Sequence, residues 1–295
     1  MKPAPFEYQV PESLEQTMHL MREYGSDARL LAGGQSLVPA MNFRIVQPRV
    51  LVDLNHVREL DYMQEQSQTT LHIGAMTRER RMEFDPLVAR MAPLLTEAMP
   101  YVAHPQIRNR GTLGGSLANA DPAAELPVIM LALDARLKAH SIAGERWITA
   151  RDFFSGMFTT SLAPDEILVE IKLTRLPTRT GWSFMEFAPR AGDYALMGVA
   201  VLLTINEKDI CQSAKIIYLN AGDGPIEAAE TAKSLDGELF TDEIIETAAA
   251  QASEKEIDPF GNLHASIGYQ RHLAEVLTRR ALKQAWKRAV QENVQ

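Results

Sequence analysis

A chain of 295 residues that is 46% hydrophobic and 23% charged has the length for two domains and the composition of a soluble globular protein. Its net charge of -8 argues against a nucleic-acid partner, because phosphate-backbone binding draws on concentrated Lys and Arg. The single cysteine, Cys211, excludes an internal disulfide, cannot hold an iron–sulfur cluster alone, and leads us to expect a reducing, cytoplasmic setting.

The opening "MKPAPFEYQVPESLEQ" lacks the apolar core of a secretory signal, and no apolar run is long enough to span a bilayer. Ser13 followed by Gln16 is a capping-box pattern, Leu14, Met18 and Met21 share one helical face, and Gly25 is a stop. "ARLLAG" predicts a strand, a short helix or turn follows Ser36, and "RVLVDL" predicts a second strand. Residues 1–56 thus read as a small lobe with a parallel sheet. "TTLHIGAM" predicts a strand, and "RRMEFDPLVARMAPLLTEAM" has helical periodicity with Pro86 and Pro93 at segment starts. "HPQIRNRGTLGGSLANADP" reads as a loop between helices. "AAELPVIMLALDA" reads as a buried helix running into the strand "RLKAHS", and "ERWITA" and "EILVEIKL" as strands around the loop "GMFTTSLAPD".

Residues 174–181, rich in Pro, Thr and Gly, mark a boundary. Beyond it "GWSFMEFA", "ALMGVAVLLTI" and "CQSAKIIYL" predict a small antiparallel sheet. Helices follow: "PIEAAETAKSL", then "TDEIIETAAAQAS" with a Thr241 cap stapled by Phe240 and Ile245, then one long helix from "SIGYQRHL" whose basic run "RRALKQAWKR" reads as a solvated face. The fold class is α+β. Residues 1–176 form one domain, with lobes at about 1–56 and 57–176, and residues 177–295 form the second.

Absences remove whole reaction classes. There is no G-x-G-x-x-G after a strand, no P-loop, no H-E-x-x-H and no nucleophile elbow at Ser36, and the seven histidines are scattered. What stands out is a pair of glycine-rich turns far apart in sequence. The first is "AGGQS", Ala32, Gly33, Gly34, Gln35 and Ser36; the second is "GTLGGS", with Thr112, Gly114, Gly115 and Ser116. Each offers consecutive backbone N–H groups without Cβ obstruction and neighbouring hydroxyl or amide donors, the makings of a pyrophosphate nest. Two such turns from different lobes could grip a dinucleotide; the pattern alone leaves that ligand cradle and two plain turns both open.

Together, "LLAGGQSLVPAMNFR" and "HPQIRNRGTLGGSLANADPAAELP" resemble the FAD-binding medium subunit of molybdenum hydroxylases, the group containing xanthine dehydrogenase, aerobic carbon monoxide dehydrogenase and bacterial N-heterocycle and nicotine-type dehydrogenases. "MKPAPFEYQVPESLEQ", "PRVLVDLNHVREL", "IGAMTR" and the segment from Arg190 to Leu196 carry the resemblance along nearly the whole chain. It implies a two-lobed FAD domain of the PCMH type followed by a small antiparallel sheet with helices. It further implies non-covalent FAD, with its pyrophosphate on Ala32 to Ser36. The second turn (Thr112, Gly114, Gly115, Ser116) would approach flavin and pyrophosphate. Val102, Ala103 and the acidic Glu125 would touch the cofactor, and Leu168 would pack on the flavin. Tyr194 either covers the isoalloxazine ring or joins the core.

By the same resemblance the chain passes electrons. Substrate is hydroxylated at a molybdopterin centre in a large subunit, two [2Fe–2S] clusters in a small subunit relay electrons to this FAD, and an external acceptor takes them. No catalytic acid–base set and no metal site is assigned to the chain itself. A self-sufficient FAD oxidase or reductase would instead need a proton donor or base beside the flavin, and a third reading is a non-catalytic nucleotide-binding or assembly module. One departure concerns Glu186, where some members carry a lysine that would stabilise negative charge on reduced flavin; either Glu186 turns away or this flavin favours a neutral reduced form. His104 is expected to orient its loop. Arg108 and Arg110 either neutralise phosphate or meet a partner, and Trp147, Trp182 and Trp286 read as packing anchors.

Overall fold

In the computed structural model, which describes residues 1–291, the chain opens with β1 (Glu7–Gln9) and α1 (Leu14–Tyr24). Ser13 Oγ accepts from Gln16 N at 3.2 Å, while the Gln16 side chain reaches the Glu12 N–H at 2.9 Å, so the cap closes one residue early. Gly25 ends the helix at φ +51, which an L side chain adopts only under strain. β2 (Ala28–Leu31), α2 (Leu37–Asn42) and β3 (Val50–Asp53) follow. β1 and β2 pair in parallel on either side of β3. No apolar alternation announces β1, whose residues are mostly exposed.

The second sheet begins with β4 (Met63–Ser67) and β5 (Thr70–Gly74). Six helices intervene: α3 (Glu79–Phe84), α4 (Pro86–Met91), α5 (Pro93–Ala98), α6 (Pro105–Arg108), α7 (Leu113–Asn119) and α8 (Glu125–Ala132). Pro86 and Pro93 stand at the first turns of α4 and α5, where a missing N–H costs nothing. The segment read as a loop between helices is itself helical over α6 and α7. β6 (Arg136–Ser141), β7 (Gly144–Thr149), α9 (Ala150–Phe153), the hairpin β8 (Phe154–Gly156) and β9 (Thr159–Thr160), and β10 (Ile167–Thr174) complete the region. The sheet is antiparallel throughout, in the order β4-β5-β10-β6-β7, with an irregularity between Leu168 and Glu170 on the central strand.

The third sheet is antiparallel: β11 (Thr180–Phe187), β12 (Met197–Ile205), β13 (Cys211–Leu219) and β14 (Ile226–Glu227). α10 (Ala229–Ser234), α11 (Asp242–Lys255) and α12 (Ile267–Gln291) follow. The unbroken apolar run of β12 is explained by burial on both faces. Ala200 and Leu202 join a core shared with α5 and α8, while Val199, Val201 and Leu203 join one shared with α12. α12 lies so close to β11 that a Cβ on Gly181 would fall 1.7 Å from the Ala285 carbonyl oxygen. Glu97 on α5 accepts from Phe184 N at 2.9 Å and pairs with Arg288, which also donates to the Trp182 carbonyl at 2.7 Å.

Candidate functional site

The first glycine segment leaves β2 and enters α2. Gly34 has φ +75, a conformation that favours glycine. The carbonyls here are tied: Ala32 O accepts from Asn55 Nδ2 at 3.0 Å, Gly33 O from Gln35 Nε2 at 3.0 Å, and Gly34 O and Ser36 O from Val38 N and Ala40 N, both at 3.1 Å. By contrast, the N–H groups of Gly33, Gly34, Gln35 and Ser36 find no acceptor among the described residues. Four consecutive residues thus hold donors free while the carbonyls of Gly33, Gly34 and Ser36 are occupied, an arrangement suited to an anion. Gln35 turns its amide back on its own loop, so it is a loop brace where a free donor was expected.

The second segment is not the matching turn that its letters suggest. Thr112 caps α7, its Oγ1 accepting from Gly115 N at 3.1 Å, so Gly114 and Gly115 lie in the helix's first turn. Leu113 N donates to Thr77 O (3.1 Å), Gly114 N to Ala75 O (2.8 Å) and Ser116 N to Thr112 O (3.1 Å), which leaves no free donors in a row. The expectation of a second N–H nest is therefore corrected. These glycines serve closeness instead. A Cβ on Gly114 would fall 2.5 Å from Ala75 Cβ, and one on Gly115 would fall 2.7 Å from Thr112 Oγ1 and 3.2 Å from Ala32 Cβ. Gly33 meets the same segment from the other side of the junction, its Cβ position lying 2.4 Å from Arg110 O. The two glycine segments are in contact.

Polar struts fix that contact. Arg78 donates to the Arg110 carbonyl and, at 2.5 Å, to Asn55 Oδ1. Asn55 is held by Asp53, which also accepts from the Tyr8 hydroxyl. Sequence reasoning assigned Arg78 and Asn55 no role, although both lie in the quoted tracts "IGAMTR" and "PRVLVDLNHVREL". Their partners are distant in sequence, and no spacing rule connects them.

Val102 is buried and Ala103 takes φ +43. Arg108 holds both carbonyls with Nη1 (2.9 and 3.1 Å) while Glu83 clamps its guanidinium (2.9 and 3.1 Å). Only 5% exposed, Arg108 is a buried backbone clamp. His104 lies beneath Gly192, where a Cβ would fall 2.2 Å from its ring, so it braces the loop that carries Tyr194. Tyr194 is 69% exposed and precedes β12, which removes the option that it belongs to the core. Leu168 is buried on β10 in the same core as Leu113 and Leu117 of α7. Trp182 lies under Arg288 and Trp147 under Lys138, with centroid distances of 5.2 and 4.9 Å, and Trp286 packs on the α12 core.

Carboxyl groups gather behind these segments. Burial, foremost, pushes Glu125 at the start of α8 up to about 7. Burial and then the charge of Glu125 raise both Glu79 and Glu186 to about 8. Glu186 stands on the face of β11 that Phe184 turns to the α5–α8 core, and its Oε2 is buried without a partner. It therefore faces inward, where burial favours its neutral form. Among the described residues no cluster of His, Cys, Asp and Glu could hold a metal ion, and no helix is long and apolar enough to cross a membrane.

Comparison with known proteins matches this arrangement along the whole chain. The family described as "FAD binding domain in molybdopterin dehydrogenase" matches residues 4–176, and "CO dehydrogenase flavoprotein C-terminal domain" matches residues 182–285. The 6-hydroxypseudooxynicotine dehydrogenase complex subunit alpha of Paenarthrobacter nicotinovorans is 42% identical over 98% of this chain and 97% of its own. Among solved structures, the carbon monoxide dehydrogenase of Hydrogenophaga pseudoflava that lacks the Mo-pyranopterin moiety superposes with a TM-score of 0.94 at 35% identity, covering 98% of this chain and 99% of that one. Quinoline 2-oxidoreductase of Pseudomonas putida 86 gives 0.93 at 37% identity, with 98% and 99% covered. The two glycine segments, the fold that joins them and these matches make the chain a member of the FAD-binding medium subunits of the carbon monoxide dehydrogenase and xanthine dehydrogenase family.

Proposed function

We propose that this chain is the electron-transferring FAD subunit of a three-subunit molybdenum hydroxylase. It takes electrons from the [2Fe–2S] clusters of a small subunit, while a large molybdopterin subunit oxidises the organic substrate and an external acceptor completes turnover. The observation that carries the reading is the row of free N–H groups at Gly33 to Ser36, set against the second glycine segment. When bound, FAD supplies reversible uptake and release of electrons.

In this reading Ala32, Gly33, Gly34, Gln35 and Ser36 cradle the pyrophosphate, each charge-assisted N–H bond contributing about 2 kcal/mol. Thr112, Gly114 and Gly115 bring α7 against that loop, and Ser116 extends the same wall. Val102, Ala103, Glu125 and Leu168 line the interior side, and Tyr194 stands at the mouth on the loop that His104 supports. The neutral tendency of Glu79, Glu125 and Glu186 keeps a negative wall from forming near an anionic ligand at neutral pH. Cys211 is buried, with its thiol pushed up to about 12, chiefly by burial, so it stays inert and suits a reducing cytoplasm.

The test is purification of the full chain alone, a flavin absorbance spectrum, and an assay of a panel of N-heterocycles with an artificial acceptor. Stoichiometric, acid-extractable FAD with no turnover is expected, and flavin reduction by substrate only once the iron–sulfur and molybdenum subunits are added. Turnover by the isolated chain at the rate of the complex would promote the self-sufficient flavoenzyme, and absence of flavin after FAD addition would leave the assembly module.

A further inference from the structure

Glu79 opens α3 directly behind the junction of the two glycine segments. Its N–H donates to Gly111 O at 3.0 Å. Its carboxyl lies against Gly111 so closely that a Cβ there would fall 2.2 Å from Oε2 and 2.7 Å from Oε1. Gly111 in turn meets Gly33, whose Cβ position is 2.8 Å from the Gly111 Cα. Carboxyl, Gly111 and the first glycine loop therefore follow one another with no side chain between.

The carboxyl is also alone. Glu79 is 4% exposed, and Oε2 has no hydrogen-bond partner among the described residues. The charged groups that face it are Glu125 at the start of α8, Arg108 on α6 and Arg78 just before α3. Arg108 is clamped to Glu83 and to the Val102 and Ala103 carbonyls, and Arg78 is committed to Asn55 and the Arg110 carbonyl. Arg110 stands next to Arg78, and Glu83 is occupied by Arg108 and Arg80.

We propose that Glu79 is a positioning residue for FAD: as an uncharged carboxylic acid it backs the Gly111–Gly33 contact, and its ionisation loosens the cofactor. The proposal rests on the reading of residues 33–36 as the pyrophosphate cradle. An ionised, unpaired carboxylate in this position is costly, and it places a negative charge just behind a loop that binds an anion. Burial and then Glu125 already raise this acid to about 8, against the opposing pull of Arg108 and Arg78. The sign follows from linkage. FAD-bound protein holds the Glu79 proton more tightly than FAD-free protein, so the dissociation constant rises with pH once the FAD-free form ionises, by at most about tenfold per pH unit.

The experiment strips FAD from the full chain and titrates it back by flavin fluorescence between pH 6.5 and 9.5, for the parent and for Glu79→Gln. The parent should bind about tenfold more weakly at pH 9 than at pH 7. Glu79→Gln should match the parent at pH 7 within about threefold and stay flat as pH rises. Calorimetry of the parent in two buffers of different ionisation enthalpy should show proton uptake on FAD binding near pH 8. Parallel pH curves for parent and variant, or no proton uptake by the parent, overturn the proposal; the second needs no variant. Failure of the parent to bind FAD at pH 6.5 is a different result, because it removes the cradle itself.

Discussion

The two glycine segments share nearly the same letters and do opposite things. In the first segment the N–H groups of Gly33 to Ser36 are free and the carbonyls of Ala32, Gly33, Gly34 and Ser36 are tied; around Thr112 to Ser116 the N–H groups are tied, and the missing side chains allow α7 to touch β5's exit and the first loop. Glycine is required at Gly34 by the conformation of a donor loop, and at Gly33, Gly114 and Gly115 by how near the backbone must come. The letters do hold a hint of the difference: Thr112 three residues before Gly115 is an N-cap spacing, which announces a helix start.

The contrast can be broken most forcefully at Gly114. Valine there would drive carbon into Ala75 Cβ, 2.5 Å from the first added atom, and into the Ala75 backbone. Gly114→Val should lose about 3 kcal/mol or more of stability with or without FAD, because the clash is between fixed elements. Thermal melts of FAD-free and FAD-loaded protein check this, and an unchanged melting temperature would contradict the packing role.

Gly34→Ala should separate the functions. The residues it meets are flexible side-chain ends, Leu31 Cδ1 at 3.1 Å and Val38 Cγ2 at 3.2 Å, so its cost is mainly the φ of +75. A stability loss of about 1 kcal/mol is expected. FAD affinity should fall further, by about tenfold, since the displaced N–H groups are the proposed donors. An FAD affinity equal to the parent's would move the donor role away from this loop.

A gradual, pH-dependent effect concerns the acids grouped with Glu125. Glu186 keeps its proton up to about pH 8 in the folded chain and loses it near pH 4.5 when unfolded. Between those values only the folded state holds the proton, so stability falls as pH rises through that window and levels off above it. Glu186→Gln removes the dependence: no advantage at pH 4, and an advantage that grows as pH rises toward 8. Urea unfolding at the two pH values measures it, and an advantage that shrinks with pH would mean that Glu186 is paired and charged.

Much of the fold is legible because apolar pattern and backbone chemistry agree. Pro86 and Pro93 start helices, Ser13 caps one, and the run "MGVAVLLTI" has no polar alternation because β12 is covered on both sides. β1 and β4 are illegible for the opposite reason: both are edge strands with little apolar alternation, defined by a partner strand. The helicity of α7 is hidden by two glycines of poor propensity, outweighed by the Thr112 cap and by packing. At the site, the glycine pairs draw the eye at once, whereas Arg78, Asn55 and Glu79 do not. Their roles depend on partners brought in from other segments, and a lone Arg, Asn or Glu after a strand carries no signature.

Arg288 reaches Glu97 across 191 positions of sequence. During synthesis at about 5–20 residues per second, both glycine segments have left the ribosome well before the arginine that locks α5 to β11 exists. Until α12 arrives, one face of β12 lies open to water and Glu97 lacks its cation. The clasp between α5 and β11 therefore closes only when α12 is made. A protease cut between β13 and α12 would separate Arg288 in sequence from both of its partners, Glu97 and Trp182, and leave the glycine loops' own peptide bonds intact.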